Sequence, residues 1–453
     1  MGKTHSQFVC QQCGYSQSGW AGKCPECGNW NTLVETVVTQ APRNKSQDSN
    51  KSKIYKLSEV KVDETQRLKT GEEELDNVLG GGLVPGMVVL VAGEPGIGKS
   101  TLLTQVALNT SPQPSPKSGE GVRGTGEVLY VCGEESASQV ALRIKRLSHK
   151  AIESSRDHLL MFESTDVDEI IGKIREVKPG LVIVDSIQTM VTEELTGGAG
   201  SVGQVRECAS KLSVVSKQLS VPIFLVGHVT KEGNIAGPRV LEHVVDTVLW
   251  FEGDRSMPVR LVRAVKNRFG PTDEVGVFEM SEKGLVGVSN PSQFFLAERV
   301  KNVPGSVVSV VLEGKRPLLV EIQALTVSTT SPMPRRVATG IDFARLQMLV
   351  AVLIARAGLH LSGEDIFVNV TGGIRLADRG VDLAICLAIA SAFLQKSLPG
   401  DVAAVGEVGL LGEVRMVAGL ERRVKEAKKL GFRVASAESG KSVSAAIKKL
   451  LQD

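Results

Sequence analysis

The chain has 453 residues, with 53 Lys and Arg against 50 Asp and Glu, a net charge of +3. That length suggests about two to four domains, and so even a balance does not by itself demand a polyanionic partner. Hydrophobic content of 42% fits an ordinary globular protein. The sequence has neither a membrane-length apolar run nor a signal-peptide core, so the expectation is cytoplasmic residence with no membrane partner.

Seven cysteines are unevenly placed. Cys10-x2-Cys13 and Cys24-x2-Cys27 form two hooks, each able to wrap one side of a tetrahedral Zn²⁺. Four thiolates close the shell, which makes the site structural. A thioredoxin-like redox pair needs a βαβ setting that this polar, glycine-rich stretch lacks. About thirty residues cannot hold a core without the metal. Trp20 and Trp30 are expected to cap the small cluster. Cys132, Cys208 and Cys386 lie in apolar runs and read as core. Residues 36–56 read as a basic flexible linker. From Arg43 to Lys69 there are eight Lys or Arg and four Asp or Glu, suited to a solvated tether or to phosphate contact.

Thr70–Leu79 reads as a short helix starting near Thr70 or Gly71, and Gly80–Gly86 as a turn. Met87–Ala92 is a short apolar run, a buried strand. Then comes Gly93-Glu94-Pro95-Gly96-Ile97-Gly98-Lys99-Ser100-Thr101, matching G-x4-G-K-[ST] between strand and helix. That is the phosphate-binding loop, whose glycines let backbone N–H groups face phosphates. Lys99 is placed for the β- and γ-phosphates and Ser100 for Mg²⁺. Residues 111–121 carry three alternating prolines and read as a surface insertion.

Val128–Cys132 is the next strand, followed by Gly133-Glu134-Glu135-Ser136. Glu134 is assigned to orienting a water and Glu135 to starting a helix. Leu181–Asp185 is an apolar run ending in aspartate, the Walker B pattern that delivers Asp185 to Mg²⁺. Val221–His228 is another strand; His228 at its tip is either a γ-phosphate sensor or a satisfied strand end. Glycine-rich loops follow at 196–203 and 230–239, the latter offering Lys231 and Arg239 to the phosphates of a passing strand. Val259–Val265 alternates as a strand and runs into Lys266-Asn267-Arg268-Phe269-Gly270. By residue type alone, Lys266 and Arg268 are ordinary surface charge.

In this order, Gly80–Gly86, the phosphate loop, Gly133–Ser136, Asp185-Ser186-Ile187-Gln188-Thr189 and Lys266–Gly270 resemble the bacterial RadA (Sms) family, as does the four-cysteine module. The resemblance covers nearly the whole chain. It implies a RecA- and DnaB-like ATPase acting on DNA as a ring or filament. It implies that Glu134 is the catalytic glutamate and that His228 lies near the γ-phosphate sensor. It also implies that Lys266 and Arg268 reach the ATP of a neighbouring subunit, as an arginine finger does.

The C-terminal third resembles the proteolytic domain of Lon, through Arg375–Asp382, Gly406–Val414 and Gly419–Arg423. Aligned this way, Val381 stands at the serine position and Arg423 at the lysine position. Valine has no nucleophile, and arginine keeps its proton. Asp382–Phe393 is apolar almost all round and reads as a buried helix. Leu420–Leu430 carries five cations on a helix, facing solvent or DNA.

The expected fold class is α/β: a RecA-like P-loop ATPase core, preceded by a small zinc-binding module and followed by an α+β Lon-protease-like domain. The boundaries read as 1–35 zinc finger, 36–56 linker, 57–285 ATPase and 286–453 non-proteolytic Lon-like domain. The expected function is a DNA-dependent ATPase, a hexameric motor on single-stranded and branched DNA in recombination and repair. It would use ATP, Mg²⁺ and Zn²⁺ and work beside a RecA-type recombinase. The alternatives are a nucleotide-switched DNA adaptor that does not move, and an ATP-dependent protease.

Overall fold

The computed structural model describes residues 4–10, 15–39, 67–110, 126–147, 158–228, 238–253, 257–438 and 440–451. Most of the 36–56 linker, the 111–121 insertion, Cys13 and Lys231 lie outside the described residues, as does the side chain of Arg239. The chain divides into two compact units, one of residues 1–252, 261–272 and 280–287, the other of residues 253–260, 273–279 and 288–453.

The first unit begins with a small antiparallel sheet of β1 (Thr4–Cys10), β2 (Ser16–Gln17) and β3 (Leu33–Thr39), in the order β2-β1-β3. Cys10, Cys24 and Leu33 form its buried cluster, packed by Phe8, Tyr15, Ala21 and Cys27. Trp20 and Trp30 do not cap this cluster: they are 62% and 71% exposed. They flank Gly22 instead, and Lys23 Nζ lies 5.8 Å from the Trp30 ring. Phe8 and Tyr15 pack against the cysteine cluster in their place.

Next come α1 (Glu73–Leu79), β4 (Val88–Gly93), α2 (Lys99–Asn109), β5 (Val128–Cys132), α3 (Ala137–Leu147), β6 (Leu159–Glu163), α4 (Val167–Val177) and β7 (Leu181–Asp185). They are followed by α5 (Val202–Leu219), β8 (Ile223–His228), α6 (Pro238–Leu241), β9 (Thr247–Glu252), β10 (Val259–Asn267), β11 (Val275–Ser281) and β12 (Gly284–Gly287). The helix α1 starts at Glu73 rather than Thr70, because Thr70 instead donates its N–H and hydroxyl to Asp76. The sheet order is β12-β11-β10-β9-β4-β8-β7-β5-β6. Every residue of β4, β5 and β7 is buried, as a parallel sheet covered on both faces requires. The helices α4 and α5 pack Ile170, Ile174, Val205 and Leu212 against Leu90, Val184 and Leu225.

Register decides what the sheet can present. Gly93 pairs with His228, and Cys132 with Asp185. The loops after β4, β5, β7 and β8 therefore leave one edge of the sheet at one level. The strand β10 runs antiparallel to β9, pairing Asn267 with Thr247, which pairs with Val89. Its end thus lies at the opposite edge, about 13 Å of strand from Gly93.

The second unit holds α7 (Pro291–Leu296), β13 (Ser306–Glu313), β14 (Arg316–Ser328), β15 (Arg336–Thr339), α8 (Phe343–Ala357), β16 (Glu364–Val370) and α9 (Asp382–Leu394). It closes with β17 (Val402–Ala404), β18 (Glu407–Val408), β19 (Val414–Arg415), α10 (Leu420–Lys429), β20 (Arg433–Ala435) and α11 (Val443–Leu451). Its sheet order is β15-β16-β14-β13-β17-β20. The helix α9 is buried from Asp382 to Ala392, as its unbroken apolar sequence demands. The helices α7 and α10 cover Val308, Val310 and Leu319 on the other face.

Candidate nucleotide and metal sites

The glycine-rich loop joins β4 to α2 directly. Gly96 and Gly98 have φ of 73° and 115°, a region that favours glycine. A Cβ at Gly98 would also meet Met280 Cε at 2.7 Å. Lys99 is the first residue of α2 and is buried. Its Nζ donates to the carbonyls of Gly93 and Glu94, both at 2.9 Å, and stands 3.1 Å from His228 Nδ1. Glu94, Pro95 and Gly96 are exposed, Ile97 is buried, and Ser100 and Thr101 are half-buried at the helix start.

An ammonium has only protons to give. His228 Nδ1 therefore accepts, and the ring proton stands on Nε2, 3.2 Å from Glu134 Oε1. Ser186 donates its hydroxyl to the same oxygen at 2.5 Å. The nearby His228 ring, and then Ser186, hold the Glu134 carboxyl below its usual range, although burial alone would raise it. The residues Lys99, His228, Glu134 and Ser186 form one chain of contacts across four loops.

Asp185 ends β7 and is 6% exposed. Its Oδ2 accepts from Tyr130 Oη at 2.7 Å and lies 4.0 Å from Arg143 Nη1. Arg143 in turn pairs with Glu135, so Glu135 precedes α3 and binds back to it. Burial, reinforced by the Asp185 charge, pushes the Tyr130 hydroxyl well above its ordinary range. Sequence reading missed Tyr130 and Arg143. Tyr130 pairs with Ile183, two residues before Asp185, so both side chains share one face, a register that only the fold reveals. Arg143 carries no signal either, since a cation on an exposed-looking helix is ordinary.

The hydroxyl of Ser100 and the carboxylate of Asp185 are hard oxygen donors, the chemistry Mg²⁺ prefers. For zinc, the Sγ atoms of Cys10, Cys24 and Cys27 lie within 4.8 Å of one another. Cys10 and Cys27 sulfurs are 3.7 Å apart. Thiolates at about 2.3 Å from a tetrahedral Zn²⁺ are about 3.8 Å from each other, so the spacing fits. Cys13, the fourth expected ligand, lies outside the described residues. The three other cysteines are buried, and burial pushes the thiols of Cys132 and Cys208 up to about 11 and about 12. They are inert core residues.

Lys266 and Arg268 stand apart from this cluster, at the opposite sheet edge. A bulge between Ala264 and Lys266 turns the strand. Lys266 Nζ donates to the carbonyls of Glu242 and Val245, and burial, with Arg268 close by, lowers its proton affinity. Arg268 Nη1 donates to Asp246 Oδ1 at 3.0 Å, yet its side chain is 51% exposed. Asp246 is itself fixed, accepting from the Val88 N–H at 3.1 Å.

In the second unit, Arg423 is 2% exposed and pairs with Asp378 at 2.6 Å. It also donates to Val310 O at 2.5 Å and Ala418 O at 3.1 Å. Val381 is buried. Arg422 and Lys425 of α10 are among the residues left on its outer face, while Arg423 and Ala427 are buried.

The sequence matches three family models: a rubredoxin metal binding domain at residues 8–35, an AAA domain at 53–234, and subunit ChlI of Mg-chelatase at 339–437. The chain is 48% identical to the DNA repair protein RadA of Bacillus subtilis over 438 residues, covering 96% of this chain and 92% of that protein. It is also 48% identical to the DNA repair protein RadA of Pseudomonas aeruginosa over 436 residues, with 96% and 92% covered. Among solved structures, the KaiC-like protein of Pyrococcus horikoshii aligns at 20% identity and a TM-score of 0.39, over 49% of this chain and 99% of that one.

Proposed function

The chain belongs to the RadA family of DNA repair proteins, and from that premise we propose that it hydrolyses ATP as an oligomeric motor on single-stranded and branched DNA. The observation that carries this reading is the split of charged residues between two edges of one sheet. Lys99, Glu134, Asp185 and His228 gather at the edge after β4, β5, β7 and β8. Lys266 and Arg268 stand at the other edge, too far to serve the same nucleotide. They serve the nucleotide of a neighbouring protomer.

Lys99 and the loop N–H groups grip the triphosphate. Ser100 and Asp185 hold Mg²⁺, which when bound neutralises phosphate charge. Glu134, kept ionised by His228 and Ser186, orients the attacking water and takes up its proton. Arg268 of the next protomer meets charge developing on the transferring phosphoryl group, and Lys266 seconds it. Asp246 holds Arg268 ready at the outer edge. Repeated around a hexameric ring, this chemistry pulls on a polynucleotide in recombination, beside a RecA-type recombinase in the cytoplasm. Among the described residues no helix is long and apolar enough to cross a membrane.

The residues 286–453 form a scaffold that does not cut peptides, with Val381 and Arg423 where a Lon-type site needs serine and lysine. The cysteine module holds Zn²⁺ and docks partner proteins or forked DNA.

The test mixes two inactive variants. Lys99→Ala cannot bind triphosphate productively, and Arg268→Ala cannot complete its neighbour's site. Each alone should lose DNA-stimulated ATP turnover, and their mixture should regain part of it. A mixture as inactive as its components refutes shared sites. ATP turnover indifferent to single-stranded DNA refutes the DNA reading.

A further inference from the structure

The sheet of the second unit is covered unequally. The helices α9, α8 and α11 stack on one face. On the other, α7 and α10 cover Val308, Val310 and Leu319 of β13 and β14. Leu318 through Ile322 of β14 are accordingly all buried. Beyond Ile322 the burial alternates, and Gln323, Leu325 and Val327 turn outward. Leu325 pairs with Phe367, and Phe367 pairs with Val337, so these side chains share the uncovered face.

The loop 300–304 borders this surface, closing a cleft of about 530 Å³ lined by Val303, Leu325, Val337 and Phe367 among others. Buried Glu321 and exposed Gln323 and Asn369 also line it. Leu325 is 56% exposed. A surface of this kind marks an interaction site, and a lining that includes the buried Glu321 carboxylate does not suit a polyanion.

The same unit also carries an unmatched apolar knob. The strands β18 and β19 form a hairpin whose tip is Gly409-Leu410-Leu411-Gly412. Leu410 and Leu411 are 65% and 74% exposed. The tip is rigid: Gly409 N–H donates to Glu413 O at 3.0 Å, and Leu411 N–H to Glu413 Oε2 at 3.1 Å. Its base is anchored too, since Val408 donates to buried Asp382 at 3.1 Å and accepts from Arg345 at 3.0 Å. Two leucines held outward on an ordered turn are preorganised for burial by something else.

We infer that the Leu410–Leu411 tip of one chain inserts into the Leu325–Val337–Phe367 cleft of the next, so that copies join head to tail through this unit. The inference rests on the oligomer reading above and names the contact that builds it. The hairpin packs beside α8 and α9, on the face of the sheet opposite the cleft. A two-fold pair therefore cannot bury both knobs in both clefts, whereas a head-to-tail contact leaves one free knob and one free cleft to be filled by further copies. Repetition through a closing rotation makes a ring.

Full-length chains carrying Leu411→Cys are mixed with chains carrying Leu325→Cys and treated with a short bis-maleimide. Cross-linked dimers are expected in the mixture and in neither variant alone beyond the wild-type background. The double variant should give a ladder. In parallel, Leu411→Asp should weaken self-association in sedimentation by about tenfold or more, as loss of a buried anchor does. An assembled protein that yields no cross-link in the mixture overturns this contact while leaving the oligomer standing. Cross-links within either single variant show a two-fold contact and also overturn it. A wild-type chain that sediments as a single protomer at every concentration, with ATP and DNA present, overturns both the contact and the oligomer. Leu325→Asp that impairs DNA binding while assembly is untouched assigns the cleft to another occupant.

Discussion

Arg423 gives the most sharply bounded prediction, because its surroundings are fully specified. Its guanidinium is 2% exposed and meets three acceptors: Asp378 Oδ2, Val310 O and Ala418 O. Asp378 is also held by the N–H groups of Leu312 and Gly380, at 2.9 and 2.8 Å. Arg423→Met removes the cation and strands a mostly buried carboxylate and two carbonyls. Breaking one partner of a buried pair costs about 3–5 kcal/mol. Arg423→Lys keeps a charge for Asp378 but gives up the fork, so one of the three bonds is lost. Bonds involving a charged group are worth about 1.5–3 kcal/mol, and the lysine variant should fall in that range. Hydrogen exchange along β13 and α10 in the full-length chain reads both, as opening free energies of the second unit. Equal losses for the two variants, or a methionine variant within about 0.5 kcal/mol of wild type, would falsify the assignment of Arg423 as a structural cation. Adding Val381→Ser to Arg423→Lys should still give no peptidase, since an ammonium against the Asp378 carboxylate keeps its proton.

Ser186→Ala removes a donor to ionised Glu134, whose carboxyl is held low chiefly by His228 and then by Ser186. The proton then returns at higher pH, so the acid limb of ATP turnover should move upward; a limb that stays or moves down contradicts the role given to Glu134. Stripping zinc with a chelator should open the β1–β3 module to proteases and leave DNA-free ATP turnover in place, because so few apolar residues hold it. A ribbon that stays protected without metal would show that its core suffices.

The ATPase strands were legible because a parallel sheet buried on both faces leaves continuous apolar runs, and the structure places Val88–Gly93, Val128–Cys132, Leu181–Asp185 and Ile223–His228 where those runs stand. The places of Lys99, Asp185 and His228 were legible for a related reason, since each ends a strand or opens a helix, and Glu134 follows the end of β5 by two residues. Tyr130, Ser186 and Arg143 were not, because their meaning depends on which strands pair and at what register. The tryptophans misled, since large aromatics usually fill small cores, but here Phe8 and Tyr15 take that place beside the cysteines. The exposure of Leu410 and Leu411 comes from the turn that carries them, which their residue types do not disclose.

Residue type alone left Lys266 and Arg268 as surface charge. What distinguishes them is register. Asn267 is level with Val89 through Thr247, so a cation here points away from the loop that follows Gly93. Asp246 anchors Arg268 while its own second oxygen is tied to the backbone of β4. The same strand thus carries a phosphate loop at its end and a cation holder at its start. In the proposed head-to-tail assembly, Arg268 would be offered to a neighbour's triphosphate from the edge opposite its own phosphate loop. On this reading the sharing of sites between subunits is a consequence of strand direction: a parallel core has two unlike edges, and chemistry split between them is completed only by a neighbour.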